Sequence, residues 1–69
     1  MNTNTFNVFG VTESDDGLEF DWIWGGNDIK LLAELAKLHS KMSYGRVIIK
    51  NNEGRIMEAF EDGEEVNGE

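Results

Sequence analysis

The chain has 69 residues, with 14 Asp and Glu against six Lys and Arg for a net charge of −8, and it contains no cysteine and no proline. So short a chain makes one domain whose core only just offsets the entropy of folding, and no disulfide or thiolate metal site can add to it. Its charge repels phosphate backbones and anionic lipid at long range, which argues against direct nucleic-acid or membrane binding and for a protein partner with a basic surface.

The charge is also divided into blocks. All six cations, Lys30, Lys37, Lys41, Arg46, Lys50 and Arg55, fall between residues 30 and 55, with acid-rich segments on either side. Residues 1–5 are polar and are expected to be flexible. Phe6 to Val11 is short and rich in apolar residues, which suits a strand. Thr12 to Gly17 supplies turn chemistry and ends in Asp16-Gly17, a dipeptide suited to hairpins. Leu18 to Trp24 alternates: Leu18, Phe20, Trp22 and Trp24 make one apolar face, expected to be core, while Glu19, Asp21 and Ile23 point the other way.

Gly25-Gly26 ends that strand, and Asn27 or Asp28 can cap a helix running from about Asp28 to Met42. At 100° per residue, Leu31, Leu35, Leu38 and Met42 form one stripe, widened by Ile29, Leu32 and Ala36, and this is the expected packing face. Lys30, Ala33, Glu34 and Lys37 lie opposite, where Glu34 can pair with Lys30 or Lys37. Ser43-Tyr44-Gly45 closes the helix. Arg46 to Lys50 and Arg55 to Phe60 read as a hairpin around Asn51-Asn52-Glu53-Gly54, with two registers open: Val47 and Ile49 beside Met57 and Ala59, or beside Ile56, Glu58 and Phe60.

Residues 61–69 have one aliphatic side chain, Val66, and read as a disordered acidic tail. The expected fold is therefore α+β, a two-layer β-β-α-β-β domain over residues 6–60 with a four-stranded sheet and one helix packed on one face. No segment looks like a signal peptide or a membrane span, so a cytoplasmic location is expected.

Little in the sequence points to catalysis. His39 is the single histidine, set in the apolar arc of the helix with no nucleophile or acid placed beside it by spacing, and it reads as a core-edge ring. Asp15-Asp16 and Glu64-Glu65 sit in charged, solvated surroundings that do not raise a carboxyl pKa for acid–base work. Asp15, Asp16, Glu19 and Asp21 lack the calcium-loop spacing, and the Trp24 to Asp28 segment carries an acid where a phosphate would sit. No enzyme, cofactor or metal ion is expected. Arg46, Lys50 and Arg55 offer a basic patch on the second hairpin, with Glu19 and Asp21 expected to face the same side and neutralise it.

The expectation is a non-catalytic, acidic protein-binding domain. Its partner-binding residues would be Glu13, Asp15, Asp16, Glu19, Asp21 and Ile23, together with Glu58, Glu61 and Asp62. Acids repeated at i and i+2 of a strand stand about 6.5 to 7 Å apart, somewhat like successive phosphates. The finer expectation is thus a nucleic-acid mimic that inhibits a nucleic-acid-binding or defence protein, of the kind carried by phages and mobile elements. Alternatives are an adaptor built like β-grasp domains, whose element order this chain can match, and an assembly protein that homodimerises through a sheet edge.

Overall fold

A computed structural model describes residues 5–42 and 44–66. Five strands and one helix follow in the order β1 (Phe6–Ser14), β2 (Gly17–Gly26), α1 (Ile29–Met42), β3 (Arg46–Asn51), β4 (Ile56–Glu61) and β5 (Glu64–Val66). The strands form one antiparallel sheet in the order β2-β1-β3-β4-β5, and α1 packs on it. The α+β class holds; the expected four strands are five.

The extra strand comes from the segment read as a tail. Asp62 and Gly63 both take positive φ, 53° and 83°, which makes a tight turn of the kind whose twist matches that of the flanking strands. Glu64, Glu65 and Val66 then pair with Glu61, Phe60 and Ala59. The turn is held to the helix by Ser40, which is buried. Its hydroxyl accepts a hydrogen bond from the Gly63 amide at 2.9 Å and donates to the Lys37 carbonyl at 2.8 Å. Of the ends expected to be loose, residues 1–5 and 61–69, positions 1–4 and 67–69 lie outside the described residues, as does Ser43.

The other turns follow local chemistry. Asp28 caps α1, its Oδ1 accepting from the Lys30 and Leu31 amides at 3.1 and 3.4 Å. Asn27 is used differently: its Oδ1 accepts from the amide and hydroxyl of Thr5 and ties the start of β1 to the helix entrance. Between β3 and β4, the Asn51 Oδ1 accepts from the Glu53 and Arg55 amides, both at 2.9 Å, while Gly54 takes φ 85°.

The core is built from Val8 of β1, Val47 and Ile49 of β3, Phe60 of β4, and Leu32 and Ala36 of α1. Phe6, Ile23, Ala33 and Tyr44 pack around it. Tyr44 lies across Gly10, where a Cβ would fall 2.6 Å from its ring atoms, so the residue there must lack a side chain. The register between β3 and β4 is the second of the two expected: Val47 faces Phe60 and Ile49 faces Glu58. A bulge then brings Ile56 opposite Lys50.

Two expected faces are overturned. Ile23, expected on the solvent side of β2, packs against the core, and Leu18, Phe20, Trp22 and Trp24, expected to be core, are exposed. The cause lies in the register of β1 with β2. Val8 and Gly10 point to the helix, so Phe9 and Val11 point away, and Trp22 and Phe20 are their cross-strand partners on that other face. With Trp22 outward, alternation turns Ile23 inward beside Asp21, and the bulge at Val8/Phe9 leaves Ile23 unpaired and brings Trp24 opposite Val8, toward the groove beside α1. On α1 the sheet covers Leu32, Ala36 and Ser40 and leaves the stripe of Leu31, Leu38 and Met42 outside. Small Ala36 and Ser40 let the helix approach the sheet closely, whereas the leucine stripe is too bulky for that seat. Nor does Glu34 pair with a lysine: among the described residues the one ion pair is Arg46 with Glu61 at 3.4 Å, across adjacent strands and exposed.

Candidate functional site

The strand order decides which side chains share the face away from the helix. One cross-sheet row reads Trp22, Phe9, Ile48, Ala59, Val66, and the next reads Phe20, Val11, Arg46, Glu61, Glu64. Leu18 lies beyond Phe20, opposite Glu13, and Lys50 and Ile56 sit on the other side of the apolar row. Ile48 and Ala59 are buried even here, because taller neighbours stand around them. The result is a trough of about 450 Å³ that Arg46, Glu58 and Glu65 line together with apolar side chains. Ile48 and Ala59 lie at its floor, with Leu18 and Phe20 on one flank and Ile56, Met57 and Val66 on the other.

The β2 side of this face is open to solvent: Phe20, on the trough's flank, is 49% exposed, and Trp22, next along the strand beside Phe9, is 56% exposed. These rings are nevertheless held. The Trp22 Nε1 donates to the Asn7 Oδ1 at 3.0 Å, the Trp22 and Trp24 rings stack with centroids 6.4 Å apart, and the Lys50 ammonium sits 5.0 Å from the Phe20 ring centroid and 5.6 Å from that of Phe9. Hydrophobic and aromatic side chains fixed in place on a surface are what interface hot spots are made of.

The expected acidic residues divide by face. Glu13, Asp15 and Asp16 stand at the β1–β2 turn. Glu61 and Asp62 stand at the β4–β5 turn, and the antiparallel pairing puts both turns at the same end of the sheet, with Arg46 between them. Glu19 and Asp21, opposite Thr12 and Gly10, project on the helix side, so they do not neutralise Arg46 and Lys50 as expected. Glu58 belongs to neither group. It is half-buried beside Glu65, and burial first, then the Glu65 charge and a hydrogen bond between the two side chains, push its carboxyl up from the ordinary 4.5.

Strand alternation marks Leu18, Phe20 and Trp22 as one face, but whether that face is inside or outside depends on which side receives the helix. The trough residues Ile56, Met57 and Val66 carry no comparable local sign. Their place depends on the β3–β4 bulge and on β5.

A second concavity, of about 990 Å³, runs beside α1. It is lined by Leu31, Leu35 and Leu38, by Ile23 and Trp24, and by the Asp62–Glu64 turn. His39 is half-buried at its margin. Among the described residues, no three His, Asp or Glu side chains converge to hold a metal ion, and every buried side-chain polar atom has a hydrogen-bond partner. Among the described residues, no helix is long and apolar enough to cross a membrane. Neither a family model, nor a curated protein, nor a solved structure matches the chain.

Proposed function

We propose that this chain is a non-catalytic protein-binding domain that docks through the sheet face opposite the helix, on a partner offering an apolar anchor bordered by basic residues. The observation that carries the reading is the exposed Leu18–Phe20 flank of the Ile48–Ala59 trough, continued on the same face by exposed Trp22, in a domain whose core is already closed on the other side of the sheet. Leaving two large aromatics in water forgoes burial worth about 1.5 to 3 kcal/mol for a Phe-sized side chain, a cost that an interface recovers. The acid-rich end of the sheet sets the charge of the partner and speeds encounter with it.

A finer reading, mimicry of nucleic acid, draws its support from one feature. The acids Glu13, Asp15, Asp16, Glu61 and Asp62, far apart in sequence, gather at one end of the sheet. In that case the partner is a nucleic-acid-binding protein, and the chain inhibits it by occupying its basic groove.

Affinity capture with three forms of the domain tests both readings: wild type, the sheet variant Phe20→Ser/Trp22→Ser, and the acid variant Asp15→Asn/Asp16→Asn/Glu61→Gln/Asp62→Asn. The sheet variant should lose the partner at every salt concentration. The acid variant should lose it mainly at low salt, where surface charge is least screened. Displacement of the partner by duplex DNA or RNA supports mimicry, and a partner unmoved by nucleic acid refutes it. Capture that neither variant weakens refutes docking through this face.

A further inference from the structure

The outward stripe of α1 has a spacing that the rest of the fold leaves unused. Leu31, Leu35, Leu38 and Met42 follow one another at intervals of four, three and four residues, the 3.5-residue repeat of a helix that packs along a second helix. Leu31 is 67%, Leu38 52% and Met42 74% exposed, while Leu32 and Ala36 of the same helix are in the core. α1 therefore has two apolar sides, and the sheet occupies one of them.

We propose that this second side is the seam of a two-fold dimer, in which α1 lies antiparallel to α1 of a second copy of the chain. An antiparallel two-fold pair sets Leu35 against Leu38 of the copy and Leu31 against its Met42, each contact made twice. The flanking charges then complement each other. Glu34 and Lys41, the positions that flank the seam on one side, are seven residues apart and cannot pair within one helix. In the antiparallel register Glu34 of one copy comes beside Lys41 of the other, again twice.

Charge also favours this surface over the alternatives. The groove along α1 carries Lys37 and Lys41 against Glu34, Asp62 and Glu64, close to balance in a chain of net −8, so two copies meet here with the least repulsion. The free edge of β2 is a poorer meeting place, because a second β2 would bring Glu19 and Asp21 near those of the copy. The dimer leaves both troughs facing outward, so it stands or falls independently of the docking reading above.

Sedimentation equilibrium over micromolar to millimolar concentration is the test, with circular dichroism as a check that each variant is folded. Wild type should dimerise. Leu38→Glu places a charge in the seam and should weaken the dimer on the order of 30-fold, the scale of an interface hot spot. Glu34→Lys and Lys41→Glu should each weaken it about fivefold, and the double exchange Glu34→Lys/Lys41→Glu should restore it, since each exposed pair contributes a fraction of a kcal/mol and occurs twice. Phe20→Ser/Trp22→Ser should leave it unchanged. A chain that stays monomeric at millimolar concentration overturns the proposal, as does a dimer that survives Leu38→Glu or is lost in the Phe20→Ser/Trp22→Ser variant. Failure of the double exchange to restore association overturns the antiparallel pairing.

Discussion

Replacing Ser40 by alanine isolates the connection between the helix and the last hairpin. The serine is buried, and its hydroxyl oxygen is the acceptor for the Gly63 amide at 2.9 Å, itself out of water. Alanine fits the same space but leaves that amide without a partner, and an orphaned buried donor costs about 1 to 3 kcal/mol. Loss of the hydroxyl's second bond, to the Lys37 carbonyl, adds little because a helical carbonyl keeps its backbone partner. In a domain of this size each kcal/mol lowers Tm by roughly 4 to 8 °C, so a cost near 2 kcal/mol lowers it by about 8 to 16 °C. The loss should also be local. β5 is three residues long and held to the sheet by β4 alone, so the Gly63 amide and those of Glu64 to Val66 should exchange with deuterium much faster in the variant, while Val47 and Ile49 follow the global stability. Thermal melts followed by circular dichroism and residue-resolved hydrogen exchange check both parts. An unchanged Tm with Gly63 still protected would refute the assignment of this bond as the anchor of the hairpin.

Gly10→Ala forces a Cβ to within 2.6 Å of the Tyr44 ring and should cost about 1 to 3 kcal/mol by overpacking, with a changed near-ultraviolet dichroism as the ring moves; denaturant melts measure the cost. Asp28→Ala removes the acceptor at the start of α1 and should cost about 1 kcal/mol in the same assay, whereas Asp28→Asn should cost much less. The raised Glu58 carboxyl makes a pH prediction. Its charged form is disfavoured in the folded chain, so it lowers stability at neutral pH, and that penalty fades as pH falls through its folded pKa and is gone below the ordinary 4.5. Glu58→Gln should therefore be more stable than wild type at pH 7 and lose its advantage toward pH 4; urea melts across that range check it, and an advantage independent of pH contradicts the burial argument.

What the sequence determined by itself was set by contacts only a few residues apart. The hairpin turn at Asn51 to Gly54, a helix cap at Asn27 or Asp28, and the span of α1 depend on side chains bonding to nearby backbone and on the positive φ that glycine tolerates; that Asp28 is the cap was decided by Asn27 being taken up by Thr5. The Asp62-Gly63 turn belongs to the same class. It was legible as a hairpin dipeptide, but the run of acids around it and a single aliphatic residue, Val66, suggested a tail, because three residues of β5 carry too little pattern to mark a strand.

The tertiary structure alone decided which apolar face is inside. Both β2 and α1 have apolar residues enough for two burials, yet one helix and one sheet offer one shared interface. The choice went to the faces that pack closely together: Val8, Val47, Ile49 and Phe60 against Leu32, Ala36 and Ser40. Once the small residues of α1 were seated on the sheet, the leucine stripe and the Leu18–Phe20–Trp22 face had to lie outside, and strand order gathered the distant acids at one end. Alternation and helical period say which residues point the same way; only the packing of one element on another says which way is in.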